Sequence, residues 1–224
     1  MSVPKYSARW PVYAKQWDSM ARSRLSEEMA AAKKILSHKT RYQAVEKRTG
    51  VPWYVIGLIH YRESDLDFNT QLAQGDSLSR KSTHVPRGQG PYFGPDAWER
   101  AALIALEGDP LRPDTNLTKV KDWRLEKILY HLEQYNGWGY YLHGVPSAYV
   151  WAGSNVYTRG KYVADGEWSS TAVDQQLGCA PILKSLMELD PTIKPARETP
   201  AGYVAPQPPP ERPGLMSRIA GWFK

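Results

Sequence analysis

Apolar residues recur every three or four positions over most of the chain, which is the spacing of amphipathic helices. Glycines at the ends of several of these stretches act as helix stops. The pattern predicts six helices, at 12–21, 26–36, 40–49, 52–63, 95–107 and 122–136. A further helix is predicted from Ser170 or Thr171 through Leu186, with a kink at Pro181.

Two stretches lack the helical spacing. Residues 69–91 place β-branched residues among polar ones around the turn Gly75-Asp76, which predicts a short β-hairpin or an extended loop. Residues 137–169 are loop-rich and hold eight Trp and Tyr side chains. The predicted fold class is therefore mostly α, of the α+β type: a helical domain with a small β-hairpin after the fourth helix.

The composition changes after Pro191, and the predicted domain organisation changes with it. Residues 1–190 are predicted to form one domain with a single core. Residues 191–213 are rich in proline and predict an extended linker without a core. Residues 214–224 predict a short basic amphipathic helix. That helix either makes weak, salt-sensitive contact with an anionic membrane or lipopolysaccharide, or is a sticky chain end without a function.

Charge and composition narrow the class of partner. A net charge of +6 favours nucleic acid, anionic lipid or the bacterial envelope. Lys and Arg are scattered without a recognisable motif, so nucleic acid is not expected as a partner. No apolar run is long enough to predict a membrane span, and the first residues lack the apolar core of a secretory signal. The lone Cys179 excludes an internal disulfide and indicates a small buried thiol.

Glu63 is the candidate for catalysis. It follows Ile56 by seven residues and Ile59 by four, so it lies on the apolar face at the C-terminal end of the fourth helix. The negative end of the helix dipole and desolvation both raise the pKa of a carboxyl group there, as a general acid requires. The alternative is a surface Glu paired with Arg62 or Lys81.

The stretch 49–69, TGVPWYVIGLIHYRESDLDFN, resembles the signature of the lysozyme-like superfamily in lytic transglycosylases and phage endolysins. In that signature a helix that starts after Gly-Val-Pro ends in Glu-Ser, and the Glu is the catalytic acid, which implies this role for Glu63. Residues 41–187 resemble phage and prophage lysozyme-like proteins, and such folds carry a small sheet after the catalytic helix. No Gly-Leu-Met-Gln segment follows Glu63, which leaves the reaction subtype open.

Glycoside hydrolysis usually needs a second carboxylate, and Asp76 is the candidate. In the phage-type lysozymes that this chain resembles, an Asp and then a Thr follow the catalytic Glu on the adjoining hairpin, which Asp76 and Thr83 match in order. Asp65 and Asp67 are expected to serve as turn or capping groups. If no carboxylate faces Glu63, the substrate's own 6-hydroxyl attacks and an anhydro product forms, as in lytic transglycosylases.

Aromatic and amide side chains supply the candidates for substrate binding. Tyr135-Asn136-Gly137 is similar to a Tyr-Asn-Ala-Gly element of the same superfamily, which implies that Tyr135 orients Glu63 or contacts the sugar and that Asn136 lies beside it. Packing and helix capping are the alternative. Trp151, Asn155 and Tyr157 are further candidates, although several aromatic side chains of their loop must fill the core.

No metal or other cofactor is expected. His60 and Glu63 form His-x-x-Glu and His84 follows, but this is not the His-Glu-x-x-His motif of zinc peptidases. His60 is expected to be a partly buried helix residue.

The sequence thus predicts a monomeric muramidase of the endolysin type that cleaves the strand between N-acetylmuramic acid and N-acetylglucosamine. Its partner is the peptidoglycan glycan strand, and it is expected in the host bacterial cytoplasm before release to the periplasm and cell wall. The alternatives are a lytic transglycosylase and a non-catalytic wall-binding or virion structural protein.

Overall fold

The computed structural model describes residues 3–73, 75–83, 87–110, 113–164 and 166–199. Nine α-helices occur in these ranges: α1 Tyr6–Asp18, α2 Leu25–Ser37, α3 Lys39–Thr49, α4 Trp53–Ser64, α5 Ala97–Glu107, α6 Leu125–Asn136, α7 Gly139–Leu142, α8 Ala148–Trp151 and α9 Cys179–Leu189. Short 3-10 turns lie at Pro113–Thr115 and Leu117–Lys119. Strands β1 Lys161–Ala164 and β2 Glu167–Ser169 pair antiparallel. The mostly helical α+β class is confirmed.

Helix α4 is the central element of the core. It packs against α2, α3 and α9, and its residues from Val55 to His60 are all buried. A helix that is apolar on every side is stable only when it is covered on every side. Gly57 makes the closest of these contacts possible, because a side chain there would overlap the Ile35 methyl of α2.

His60 is more deeply buried than expected and belongs to this core. One ring nitrogen lies 3.0 Å from the Tyr42 hydroxyl and the other lies 3.2 Å from the Asp67 carbonyl oxygen. Burial lowers the pKa of His60 to about 4. The side chain is therefore neutral at physiological pH and serves to join α3, α4 and the turn that follows α4.

Of the two alternatives predicted for residues 69–91, the described residues agree with the loop and not with a regular β-hairpin. The described part of that stretch contains a single isolated bridge, between Thr70 and Ser77, and the regular hairpin lies instead at 161–169. Side chains compete with strand pairing in the earlier stretch, since Asp67 accepts the Asn69 backbone N–H and the Ser77 hydroxyl accepts that of Ser79. The stretch after α4 is consequently a series of turns.

Two predicted helix boundaries are also wrong. Helix α1 begins at Tyr6 rather than near Val12, and includes Pro11. The last helix begins at Cys179 rather than at Ser170 or Thr171, because the loop before it is held by the hydrogen bonds of Asp174. Pro181 therefore lies in the first turn of α9, where its missing N–H costs no helical hydrogen bond and causes no kink.

The domain does not end at residue 190. Ile193 is buried, and the Ala196 carbonyl oxygen accepts the Leu125 N–H at 2.8 Å. Arg197 binds both Glu126 and Asp18. Residues 191–198 thus pack on α1 and α6 instead of forming an extended linker. The rest of the predicted linker, and the predicted helix at 214–224, lie outside the described residues.

Among the described helices, none combines the length and the apolarity that crossing a bilayer requires. Cys179 is a fully buried free thiol, as predicted.

Candidate active site

Glu63 lies in the last turn of α4, at a sharp reversal of the chain. Asp65 and Leu66 follow with positive φ angles of 50° and 63°, and the Asp65 N–H donates to the Tyr61 carbonyl oxygen. Leu66 is buried and fixes this left-handed helix end to the core. Asp67 accepts hydrogen bonds from both the backbone and side chain of Asn69, and so is a turn residue as predicted.

The Glu63 carboxyl group is partly exposed and has a hydroxyl partner. The Tyr149 hydroxyl, on the short helix α8, donates to Glu63 Oε1 at 2.9 Å. Burial raises the pKa of Glu63 to about 7, while the Tyr149 hydrogen bond and the positive charge of Arg62 oppose that increase. At neutral pH the group is therefore divided between its acid and its base form.

Arg62, the neighbour of Glu63, is directed into a different set of contacts. Its guanidinium group binds Asp174 at 2.9 Å and donates to the carbonyl oxygens of Gln176 and Leu177 at 3.1 Å. It also lies 5.0 Å from the centre of the Tyr149 ring. Glu63 and Arg62 therefore do not form the surface ion pair that was the alternative prediction.

The loop after α4 brings Asp76 and Thr83 together. The Thr83 backbone N–H donates to Asp76 Oδ2 at 2.8 Å, and the Thr83 hydroxyl lies 3.2 Å from both carboxylate oxygens. Gly75, with φ 71°, lies against the end of α4, since a Cβ atom there would be 3.2 Å from the Glu63 carbonyl oxygen. The loop therefore places Asp76 next to the helix turn that carries Glu63.

Tyr135 and Asn136 end α6 on the same side of the domain. Burial and, second, the charge of Glu63 raise the pKa of the Tyr135 phenol above its ordinary value, which reflects the proximity of the two groups. Tyr135 is partly buried against the core, whereas Asn136 is exposed and lines a pocket together with Arg62. Tyr135 therefore lies near Glu63, and Asn136 lies at the pocket that Arg62 also lines.

The three other predicted sugar contacts have structural roles. Trp151 is fully buried, so its ring offers no face to a sugar. Tyr157 is buried and donates to the Gly160 carbonyl oxygen. The Asn155 amide joins two parts of the chain by bonding to Ala21 and Ser19. Sequence reasoning assigned Trp151 and Tyr157 wrongly because a loop rich in aromatic residues gives no periodicity that separates core from surface, whereas the sugar contact of the exposed Asn155 stays a prediction.

Tyr149 is the site residue that sequence reasoning missed. It lies in Ala148–Trp151, a run of four buried residues whose pattern resembles that of ordinary core. Nothing in the local spacing relates it to Glu63, which is 86 positions earlier. Only the packing of α8 on α6 and α9 brings the phenol to the carboxyl group.

Within the ranges that the structure covers, no three His, Cys, Asp or Glu side chains are grouped to hold a metal ion. Both ring nitrogens of His60 are already engaged in the core. His84 lies outside the described residues.

Comparison of the chain with protein-family models, with curated proteins and with solved structures gives no match. The candidate site therefore stands on its own geometry: a half-buried carboxyl group, its phenol partner, and a carboxylate–threonine pair on the next loop.

Replacing Tyr149 with Phe should raise the pKa of Glu63 further. The Tyr149 hydrogen bond stabilises the ionised carboxylate, so its removal favours the protonated form. A hydrogen bond to a charged group predicts a rise of up to about one pH unit. The titration of the Glu63 side-chain carbon, followed by NMR, measures this shift. Tyr54→Phe, on the same helix, should leave the pKa of Glu63 unchanged. An unchanged or lowered pKa in Tyr149→Phe would contradict the assigned role.

Replacing Glu63 with Gln should stabilise the protein at alkaline pH. An acid whose pKa rises from 4.5 to about 7 on folding binds protons better in the folded state, so stability falls as pH rises through that window. Glu63→Gln removes this loss and should gain about 1–3 kcal/mol at pH 8, with little difference near pH 4.5. Urea unfolding at pH 5 and pH 8 measures the gain. Glu107→Gln, at the exposed end of α5, should show no such pH dependence; an equal gain at both pH values for Glu63→Gln would refute the explanation.

Proposed function

We propose that the protein is a peptidoglycan glycosidase of lysozyme type, which cleaves the glycan strand between N-acetylmuramic acid and N-acetylglucosamine. The observation that carries the proposal is the Glu63 carboxyl group, whose pKa is raised to about 7 at the end of a buried helix. An acid of this strength is protonated often enough near neutral pH to act as a general acid, and its conjugate base can later accept a proton.

In the proposed reaction Glu63 gives its proton to the glycosidic oxygen as the bond to the sugar carbon breaks. The electron pair of that bond leaves with the oxygen, and positive charge develops on the ring that remains. The Tyr149 hydroxyl donates to the carboxylate that forms on Glu63. This hydrogen bond stabilises the charged product of the proton transfer and holds the carboxylate in one orientation.

Asp76 and Thr83 supply the second part of the proposed mechanism. Asp76 is the carboxylate that activates a water molecule or stabilises the oxocarbenium-like state. Thr83 fixes the orientation of this carboxylate by donating hydrogen bonds from its backbone N–H and its hydroxyl group. The loop that carries them lies against the end of α4, which supports a shared site with Glu63. Tyr135 and Asn136 are proposed to contact the sugar.

The second candidate is a lytic transglycosylase. Both oxygens of Asp76 already accept hydrogen bonds from Thr83, which favours a purely structural Asp76. Glu63 would then act first as acid and next as base for the substrate's own 6-hydroxyl, giving a 1,6-anhydro product. In either form the protein would be an endolysin-like enzyme acting on the wall of a host bacterium.

A non-catalytic wall-binding protein is the candidate from another class. Replacing Glu63 with Gln tests it together with the main proposal: release of soluble sugar from purified sacculi should fall at least about 100-fold, the usual cost of removing a general acid. Glu107→Gln should keep the full rate. Binding of sacculi without any sugar release by the unaltered protein would favour the non-catalytic role and end the proposal.

Replacing Asp76 with Asn separates the two reaction types. A muramidase needs the second carboxylate, so its rate in Asp76→Asn should fall at least about 100-fold. Its products carry reducing ends. A transglycosylase should keep most of its rate in Asp76→Asn, and its products carry 1,6-anhydromuramic ends. Mass spectrometry of the released muropeptides identifies the type of product end, and the same digests give the rates. Anhydro ends together with a nearly normal rate in Asp76→Asn would replace the muramidase by the transglycosylase.

A further inference from the structure

A pocket on the surface lies close to the candidate site. The hairpin β1–β2 faces the end of α6 across a pocket of about 400 Å³. The Tyr162 ring of the hairpin packs directly on Gly139, where any side chain would collide with the ring. This contact holds the hairpin against α7 at one edge of the pocket. The side chains that shape it are those of Arg62, Asn136, Tyr140, Lys161, Tyr162 and Asp174.

The residues that line the pocket carry an excess positive charge. Asp174 is bonded to both Arg62, at 2.9 Å, and Lys161, at 3.3 Å, so one negative charge faces two positive charges. The Arg62 side chain is 8% exposed and the Lys161 side chain is 30% exposed. Lys161 is therefore the cation that an incoming group can reach.

Arg62, in the wall of the pocket, has one side-chain donor without a partner among the described residues. Its Nε–H is buried and has no hydrogen-bond acceptor in the described part of the chain. A buried donor without an acceptor is costly, and such groups in native proteins call for an explanation such as a bound ligand or water molecule.

The pocket is connected to Glu63 by direct neighbours. Arg62 precedes Glu63 in the chain, and Tyr149 contacts both residues, one through its hydroxyl and the other through its ring. Asn136 follows Tyr135, whose phenol is close enough to be affected by the charge of Glu63. The pocket therefore begins one residue from Glu63 along α4 and one residue from Tyr135 along α6, although Glu63 itself does not line it.

We propose that this pocket binds a carboxylate carried by the muramic acid residue of the substrate, with Lys161 as the cation that meets it. The inference rests on the proposed function, because the proposed substrate carries such a group on the muramic acid residue beside the bond that is cleaved. The carboxylate has two sources with the same chemistry: the free lactyl group of an unsubstituted muramic acid, or an acidic residue of the stem peptide. Asn136 and the Tyr162 hydroxyl are placed to bond to the saccharide itself.

Binding to the full-length protein in the Glu63→Gln background tests this without depending on catalysis. The probes are three saccharides of equal length: an N-acetylglucosamine oligomer, a strand with free lactyl carboxylates, and the same strand with stem peptides. Lys161→Gln should weaken binding of an acidic strand by about 3- to 10-fold, as expected for one partly exposed charged hydrogen bond. Binding of the neutral oligomer should not change.

Lys127→Gln is the matched control, since its side chain is 29% exposed and bonded to Asp122 at 2.8 Å. It removes the same net charge from α6, about 13 Å along the helix from Asn136. A loss confined to the lactyl strand or to the peptide strand identifies the source of the carboxylate. Equal losses for Lys161→Gln and Lys127→Gln, or an equal loss for all three saccharides, would overturn the inference.

The two proposals fail in different ways. If the unaltered protein releases no sugar from sacculi but Lys161→Gln still weakens only the acidic strands, the glycosidase assignment fails and the carboxylate pocket stands. If sugar is released and Lys161→Gln has no effect on any strand, the pocket proposal alone fails.

Discussion

The poor hydration of the Glu63 carboxyl group is the constraint on which the candidate site depends. Helix α4 is covered by α2, α3 and α9 as far as His60, and the partly exposed Glu63 carboxyl group one turn further on is still buried enough for its pKa to rise to about 7. A carboxylate in that position costs free energy, and Tyr149 only partly offsets the cost. The same core packing that stabilises the domain therefore produces an acid of near-neutral strength, so stability and chemistry are set by one helix.

The second requirement is that Arg62 must not neutralise Glu63. A guanidinium group paired with the carboxylate would lower its pKa and remove its use as an acid. Asp174 prevents this by binding Arg62, while two backbone carbonyl oxygens take up other N–H groups of the same side chain. The loop before α9 is therefore part of the site, although it contains no candidate for the chemical steps.

The sequence predicted those parts of the fold that depend on local periodicity. Helices α2 to α6 were predicted close to their observed positions, and Glu63 was expected on the apolar face of α4, because the spacing of apolar residues and the glycine stops are encoded locally. The hairpin was misplaced because turn-forming side chains at Asp67 and Ser77 outweighed the β propensity of their neighbours. Tyr149 and the core role of Trp151 depend on long-range packing, which no local pattern encodes.

The segment after α9 has a practical consequence for protein engineering. Glu126 is fully buried, and Arg197 and the Glu198 backbone N–H supply its hydrogen bonds from this segment. A chimaera joined at residue 190 would leave the Glu126 carboxylate buried without these two hydrogen-bond donors. It would also expose the surface that Ile193 covers. The smallest cassette that can be moved into another polypeptide with its interior intact therefore includes residues through Glu198.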